Sequence, residues 1–243
     1  MKKWLKYSLF LVLALFLTGI TVFYIWSQQT YQASNELYDL VNSSEWLNED
    51  GTLTFLPENP NNKGVILYPG AKVEPEAYAY YAKKISDEGY VVAIPSFRFN
   101  LAILDSKKAN TVMEAHPTVT SWVIGGHSLG GVGAASFAAE QEDQIAGVLF
   151  LASYPAGSAD FSESAIPMLS LYGENDGLTT EDRIEETAKL HSTSAELYEI
   201  KGGNHAQFGL YGEQKGDLPA DIPAVEQQDE MVQRTLDWLE EIE

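Results

Sequence analysis

The chain contains no cysteine. That absence excludes a thiol nucleophile, a disulfide framework, a thiolate metal site and a lipidated N-terminal cysteine. Basic residues are also scarce, with 15 Lys and Arg against 35 Asp and Glu. Three of those 15 precede Tyr7 and no acid precedes Glu36, so the rest of the chain sets 12 basic residues against 35 acidic ones. A body so acidic repels phosphate backbones, and nucleic acid is not an expected partner. Histidine occurs only four times, so the candidates for a general base can be taken one by one. Internal repeats and low-complexity tracts are absent. What is present is 243 residues, 45% of them apolar, enough for one sizeable core and too few for two ordinary domains with linkers.

The N-terminus carries Lys2, Lys3 and Lys6, followed by a nearly continuous apolar run over residues 7–26. As a helix, about 20 residues span about 30 Å, the thickness of a hydrocarbon core. Trp4, Tyr24 and Trp26 suit the two interfaces, and residues 4–26 are the expected contact with the membrane. The next basic residue after Lys6 is Lys63, so the positive-inside rule places the short N-terminus in the cytoplasm and the body outside the cell membrane. The competing reading is a signal peptide whose removal releases a secreted protein. The run ends in the bulky Phe23-Tyr24-Ile25-Trp26, without the small residues a cleavage site needs, which favours an uncleaved single-pass anchor. The expected organisation is therefore an anchor over 1–27, a polar tether over 28–35 and one domain over 36–243.

Within that domain, 36–46 reads as a short amphipathic helix and 52–56 as a short strand after the Asp50-Gly51 turn. From Gly64 onward, short solid apolar strands alternate with helices. Strands are expected at 64–68, 90–94, 121–125, 145–152, 168–172 and 195–200. Helices are expected at 76–88, 108–115, 129–140, 181–190 and 225–239. This pattern predicts an α/β fold with a mostly parallel central sheet covered by helices on both faces.

Gly126-His127-Ser128-Leu129-Gly130 is a G-x-S-x-G match. Alone it is a weak signal, but a buried strand runs straight into it and a helix rich in Gly and Ala leaves it. Glycines flank the serine because the strand turns into the helix with almost no loop, where a Cβ would strike neighbouring backbone. The turn presents Ser128 Oγ at the carboxyl edge of the sheet, with the Leu129 N–H as a candidate oxyanion donor. Ser128 needs a base. His127 sits inside the motif, His116 precedes Pro117 at the wrong edge, and His191 ends a helix and is expected to be solvated. His205 remains, just past the last strand and again at the carboxyl edge. The acid is expected between them in sequence, where Glu174 and Asp176 share one turn. Asp176 is favoured because it lies deeper and precedes Gly177. The second oxyanion donor belongs after the first central strand, at Ala71, with Lys72 next in line.

These blocks resemble the α/β-hydrolase superfamily and, more narrowly, the small bacterial dienelactone-hydrolase-like members. The resemblance rests on Ile66-Leu67-Tyr68-Pro69-Gly70-Ala71-Lys72-Val73, Phe99-Asn100-Leu101-Ala102, Val123-Ile124-Gly125-Gly126-His127-Ser128-Leu129-Gly130, Tyr172-Gly173-Glu174-Asn175-Asp176-Gly177 and Gly203-Asn204-His205-Ala206. It implies an α/β-hydrolase fold of roughly eight strands with Ser128, Asp176 and His205 as nucleophile, acid and base. Two departures stand out: true dienelactone hydrolases use a cysteine nucleophile, and many esterases carry His-Gly where this chain has Tyr68-Pro69-Gly70.

The expected activity is cleavage of a small carboxylic ester through an acyl-enzyme, by a serine hydrolase needing neither a metal nor an organic cofactor. A peptidase or transacylase using the same triad, and a non-catalytic binding domain at the cell surface, are the alternatives. Lys72, Arg98 and Asn100 lie on loops leaving strand ends and are candidate contacts for a polar or anionic substrate group. Residues 153–167 are too few for a helical cap, so an open or shallow site is expected.

Overall fold

A computed structural model describes residues 3–157 and 159–242; Lys2, one of the three lysines ahead of the apolar run, lies outside the described residues. The chain opens with α1 (Lys3–Ser27), a 25-residue helix with a mean hydropathy of 2.4 over its most apolar stretch and nothing buried along it until Ser27. It is long and apolar enough to cross a membrane. Residues 28–34 of the tether expected over 28–35 are laid along the body, and Asn35 already opens α2 (Asn35–Leu40).

The helix expected over 36–46 stops early for a local reason. Asn42 accepts the Ser44 N–H, and Glu45 accepts the Asn42 N–H, so a new capped 3₁₀ turn begins at Ser43–Glu45. Next come β1 (Leu47–Glu49) and β2 (Thr52–Phe55). The first was not foreseen, because its three residues are all exposed and carry no apolar pattern. The remaining elements alternate as expected: β3 (Lys63–Tyr68), α3 (Ala79–Asp87), β4 (Val91–Pro95), α4 (Lys108–Ala115), β5 (Ser121–His127), α5 (Leu129–Glu140), β6 (Gly147–Leu151), β7 (Met168–Gly173), α6 (Glu181–Ala188), β8 (Ala195–Ile200) and α7 (Ala224–Glu241).

One eight-stranded sheet runs β1-β2-β4-β3-β5-β6-β7-β8, parallel from β4 to β8, with β1 and β2 antiparallel at one edge. Alternate strand residues feed two core layers. Val65, Leu67, Val92, Ile94 and Leu149 pack towards α3 and α7, while Ile66, Tyr68, Ala93, Ile124 and Phe150 pack towards α4 and α5. The order reverses at β3, whose neighbours are β4 on one side and β5 on the other. Such a switch point opens a crevice at the carboxyl ends of the strands. The β3–β5 pairing runs in register from Lys63↔Ser121 to Tyr68↔Gly126, so the two strands end level and their following loops lie side by side.

His191 corrects an expectation. It is buried rather than solvated, with its ring edge-on to Phe150 at 5.3 Å and Nδ1 donating to the Thr187 carbonyl at 3.2 Å. Burial lowers its pKa below the ordinary 6.5. The unfolded chain therefore binds this proton at a higher pH than the folded one. Stability should fall as pH drops through 6.5 and level off below the folded value, by up to about 1.4 kcal/mol per pH unit for one such group. Thermal melts of the wild type and His191→Leu between pH 7.5 and 5.5 check this; the variant should lose less stability on acidification.

Candidate active site

Ser128 stands between β5 and α5 with φ 52° and ψ −124°, a conformation in which a non-glycine residue stores roughly 1–3 kcal/mol of strain. The surroundings hold it there. A Cβ on Gly126 would lie 2.5 Å from the Gly130 carbonyl carbon, and one on Gly130 would lie 2.2 Å from the Tyr68 carbonyl oxygen. Only glycine at these positions lets α5 start against the end of β3. The Ser128 carbonyl accepts from Ser153 Oγ at 2.6 Å and the Ser128 N–H donates to the Leu151 carbonyl at 2.9 Å. The serine is half-buried at the carboxyl edge.

Asp176 and His205 meet on the same edge, past β7 and β8. His205 Nδ1 lies 2.8 Å from Asp176 Oδ2, with both side chains buried. The other carboxylate oxygen, Oδ1, accepts the Leu178 and Thr179 N–H groups at 2.8 and 2.6 Å. All contacts of this carboxylate are with donors, so the His205 proton sits on Nδ1. The Nε2 lone pair is left buried without a partner. Glu174, the other acid of the turn, is exposed; it accepts the Gly202 N–H at 2.9 Å and faces Lys201.

Asp217 was not singled out from the sequence, yet it joins the two loops. Its Oδ1 accepts the Gly177 N–H at 3.0 Å, next to Asp176, while its Oδ2 accepts the Ala206 N–H at 2.9 Å, next to His205. Gln227 of α7 holds the His205 loop from behind, accepting the Asn204 N–H and donating to the Asn204 carbonyl, both at 2.9 Å. Neither residue carries a sequence motif. Only the topology brings them there.

On the β3 side, the Lys72 N–H donates to the Asn100 carbonyl at 2.9 Å, which takes the second-choice oxyanion donor out of reach. Ala71 and Leu129 lie on the two level loops. Of the three candidate substrate contacts, Asn100 donates its side-chain amide to the Ser27 carbonyl at 2.9 Å, Lys72 sets its ammonium 4.4 Å from the Trp26 ring, and Arg98 is exposed. A cavity of about 440 Å³ lies beside the His205 loop, bordered by Asn204, Ala206 and Asp217; none of Ser128, Asp176 and His205 lines it. No group of three or more His, Asp or Glu suited to a metal ion occurs among the described residues.

His127 is fully buried, its ring centroid 4.6 Å from that of His205. Burial, and then the nearby His205, keep its pKa well below 6.5, so it is neutral. The Tyr78 hydroxyl accepts the Gly70 N–H at 2.9 Å and lies 2.8 Å from His127 Nδ1. Burial drives the Tyr78 phenol far above its ordinary value, so it keeps its proton and donates it to Nδ1. The hydroxyl thereby ties the loop after β3 to the strand that carries Ser128.

The family model for the alpha/beta hydrolase family matches residues 64–229, more than half of the chain. A search of curated protein sequences finds no match. Among solved structures, a predicted CIB-like hydrolase from Thermoplasma acidophilum is similar at 18% identity and a TM-score of 0.60, over 82% of this chain and 97% of that one. Est1E from Butyrivibrio proteoclasticus, solved with ferulic acid bound, is similar at 14% identity and a TM-score of 0.59, over 80% of this chain and 98% of that one. A structure from work on LipS and LipT, two metagenome-derived lipolytic enzymes, is similar at 13% identity and a TM-score of 0.60, over 80% and 100%.

Tyr78→Phe should destabilise the protein by about 2–5 kcal/mol, because it leaves both the Gly70 N–H and His127 Nδ1 buried without a partner. Tyr81→Phe is the control: its hydroxyl donates only to Thr235 Oγ1, and its loss should cost about 1–2 kcal/mol. Urea denaturation of the two variants compares the losses; equal losses would deny Tyr78 its double role.

Proposed function

The chain belongs to the alpha/beta hydrolase family, and on that premise we propose that it is a serine hydrolase that cleaves a carboxylic ester with Ser128, Asp176 and His205. The observation that carries the reading is the buried 2.8 Å contact between Asp176 and His205 Nδ1, which leaves Nε2 unpartnered on the sheet edge where Ser128 is held in a strained turn. His205 Nε2 removes the Ser128 proton as Oγ attacks the ester carbonyl. Asp176 fixes the imidazole tautomer and meets the positive charge that develops. The Ala71 and Leu129 N–H groups receive the oxyanion. The alcohol leaves with the proton from His205, and water then cleaves the acyl-enzyme by the same steps, releasing the acid and restoring Ser128. Neutral His127 leaves His205 as the only imidazole of the pair that becomes charged.

The lipolytic enzymes among the similar structures support an ester over an amide as substrate. We further assign α1 as a single-pass anchor that holds the body on the extracytoplasmic side of the cell membrane. The support is its length, its hydropathy and the basic residues Lys3 and Lys6 at its first end only.

Hydrolysis of p-nitrophenyl esters by the full chain tests the assignment. Ser128→Ala should lose on the order of 10⁶ in the chemical step, His205→Ala should lose a similar amount, and the double variant should be little worse than either, because nucleophile and base act as a unit. Additive losses would show that the two residues do not work on one proton, full activity in Ser128→Ala would exclude Ser128 as the nucleophile, and a wild-type chain that hydrolyses no ester would leave a binding domain. Asp176→Asn should cost on the order of 10⁴ in rate, by analogy with the aspartate of serine proteases. Glu174→Gln should cost less than about tenfold, since an exposed charge is screened. The reverse ranking transfers the acid role to Glu174.

A further inference from the structure

The last turn of α1 does not hang free of the body. Phe23 meets the Phe99 ring edge-on at 5.4 Å, Trp26 lies beneath the Lys72 ammonium, and the carbonyl of the buried Ser27 accepts the Asn100 amide. The chain then stays on the same surface. The Tyr31 N–H donates to the Lys72 carbonyl at 2.7 Å, its carbonyl accepts the Glu74 N–H at 3.0 Å, and the Ser34 N–H donates to the Leu210 carbonyl at 2.8 Å. Lys72, Phe99 and Asn100 all adopt positive φ, at 62°, 59° and 55°. The two loops that receive α1 are thus held in strained shapes, and they are the loops leaving β3 and β4 at the carboxyl edge.

This contact fixes which way the site faces. Trp26, the last residue of the apolar run, touches the residue that follows Ala71, so no length of chain separates the bilayer surface from the proposed oxyanion loop. Other carboxyl-edge loops expose large apolar side chains. Ile103 and Leu104 after β4 are 46% and 53% exposed, Leu178 in the acid loop 41%, and Leu218 beside Asp217 54%. Lys72 and Arg98, two of the few basic residues, sit where α1 would leave the hydrocarbon, at the level of lipid phosphates. An acidic body has no electrostatic reason to approach an anionic surface, so apolar contact and the anchor must hold it there.

We propose that the carboxyl edge of the sheet rests on the outer leaflet and that the site takes its ester from the bilayer: the acyl ester of an amphipathic lipid, cleaved to a fatty acid and an alcohol. This rests on the serine-hydrolase and anchor readings above. The experiment is built so that their failure and its own can be told apart. The full chain in phosphatidylcholine vesicles is assayed against soluble p-nitrophenyl acetate and against 4-methylumbelliferyl oleate dissolved in the same vesicles. The double variant Ile103→Glu, Leu104→Glu should lose about tenfold or more on the bilayer ester, because two charges at the rim oppose insertion, while turnover of the acetate stays unchanged. Unchanged turnover of both esters, or an equal loss on both, overturns the proposal.

Because the chain has no cysteine, a second measurement needs no catalysis. Fluorophores on Leu104→Cys and Leu178→Cys should be quenched by lipids spin-labelled at the headgroup, and one on Leu56→Cys, past the opposite end of β2, should not. Quenching equal at all three positions, or absent at 104 and 178, overturns the orientation. Quenching at 104 and 178 with neither ester hydrolysed removes the hydrolase reading, and the lipid substrate with it, while the orientation stands.

Discussion

The close approach of α5 to the end of β3 is the constraint on which the rest depends. With Gly130 packed against the Tyr68 carbonyl, the strand carrying Ser128 must turn into a helix within one residue, and that residue takes the strain. The level register of β3 and β5 ends both strands at the same edge, so the loops that carry Ala71 and Leu129, the proposed oxyanion donors, both start from that edge. A Ser153 hydroxyl and the Tyr78–His127 contact hold the turn from two further sides. Strain at one residue persists because several independent contacts over-determine it.

Much of this was legible in the sequence, for physical reasons. Solid apolar runs such as 64–68 and 121–125 belong to strands buried on both faces, and their alternation with helices left a parallel sheet as the natural outcome. Flanking glycines announced the turn at Ser128, and elimination among four histidines led to His205. What escaped notice depends on tertiary contact. Asp217 and Gln227 look like ordinary members of a very acidic, polar C-terminal third; only the fold carries them to the loops of Asp176 and His205. His191 looked like a solvated helix end because the ring it packs on, Phe150, lies on a strand far away in sequence. β1 had no pattern to read, and the role of Asn100 was hidden because its partner is a backbone carbonyl of α1.

The segment after the apolar helix shows how composition alone misleads about mechanics. Residues 28–35 are polar, as a flexible linker would be, yet Thr30, Tyr31 and Ser34 each bond to the body. A polar segment is free only where its backbone groups have no better partner than water. Here the Lys72 and Leu210 carbonyls and the Glu74 N–H supply partners, and the helix and the hydrolase body share one surface.

The loop of His205 is held by residues on both sides of it in the chain. Asp176 and Glu174, made before it, bond the His205 ring and the Gly202 N–H, while Asp217 bonds the Ala206 N–H and Gln227 brackets Asn204. A growing chain that has already formed the Ser128 turn and the Asp176 loop still lacks the later half of that support until Asp217 and α7 pack down. In biosynthetic terms, the imidazole is caught between contacts made before it and contacts made after it, and its position is complete only when both are in place.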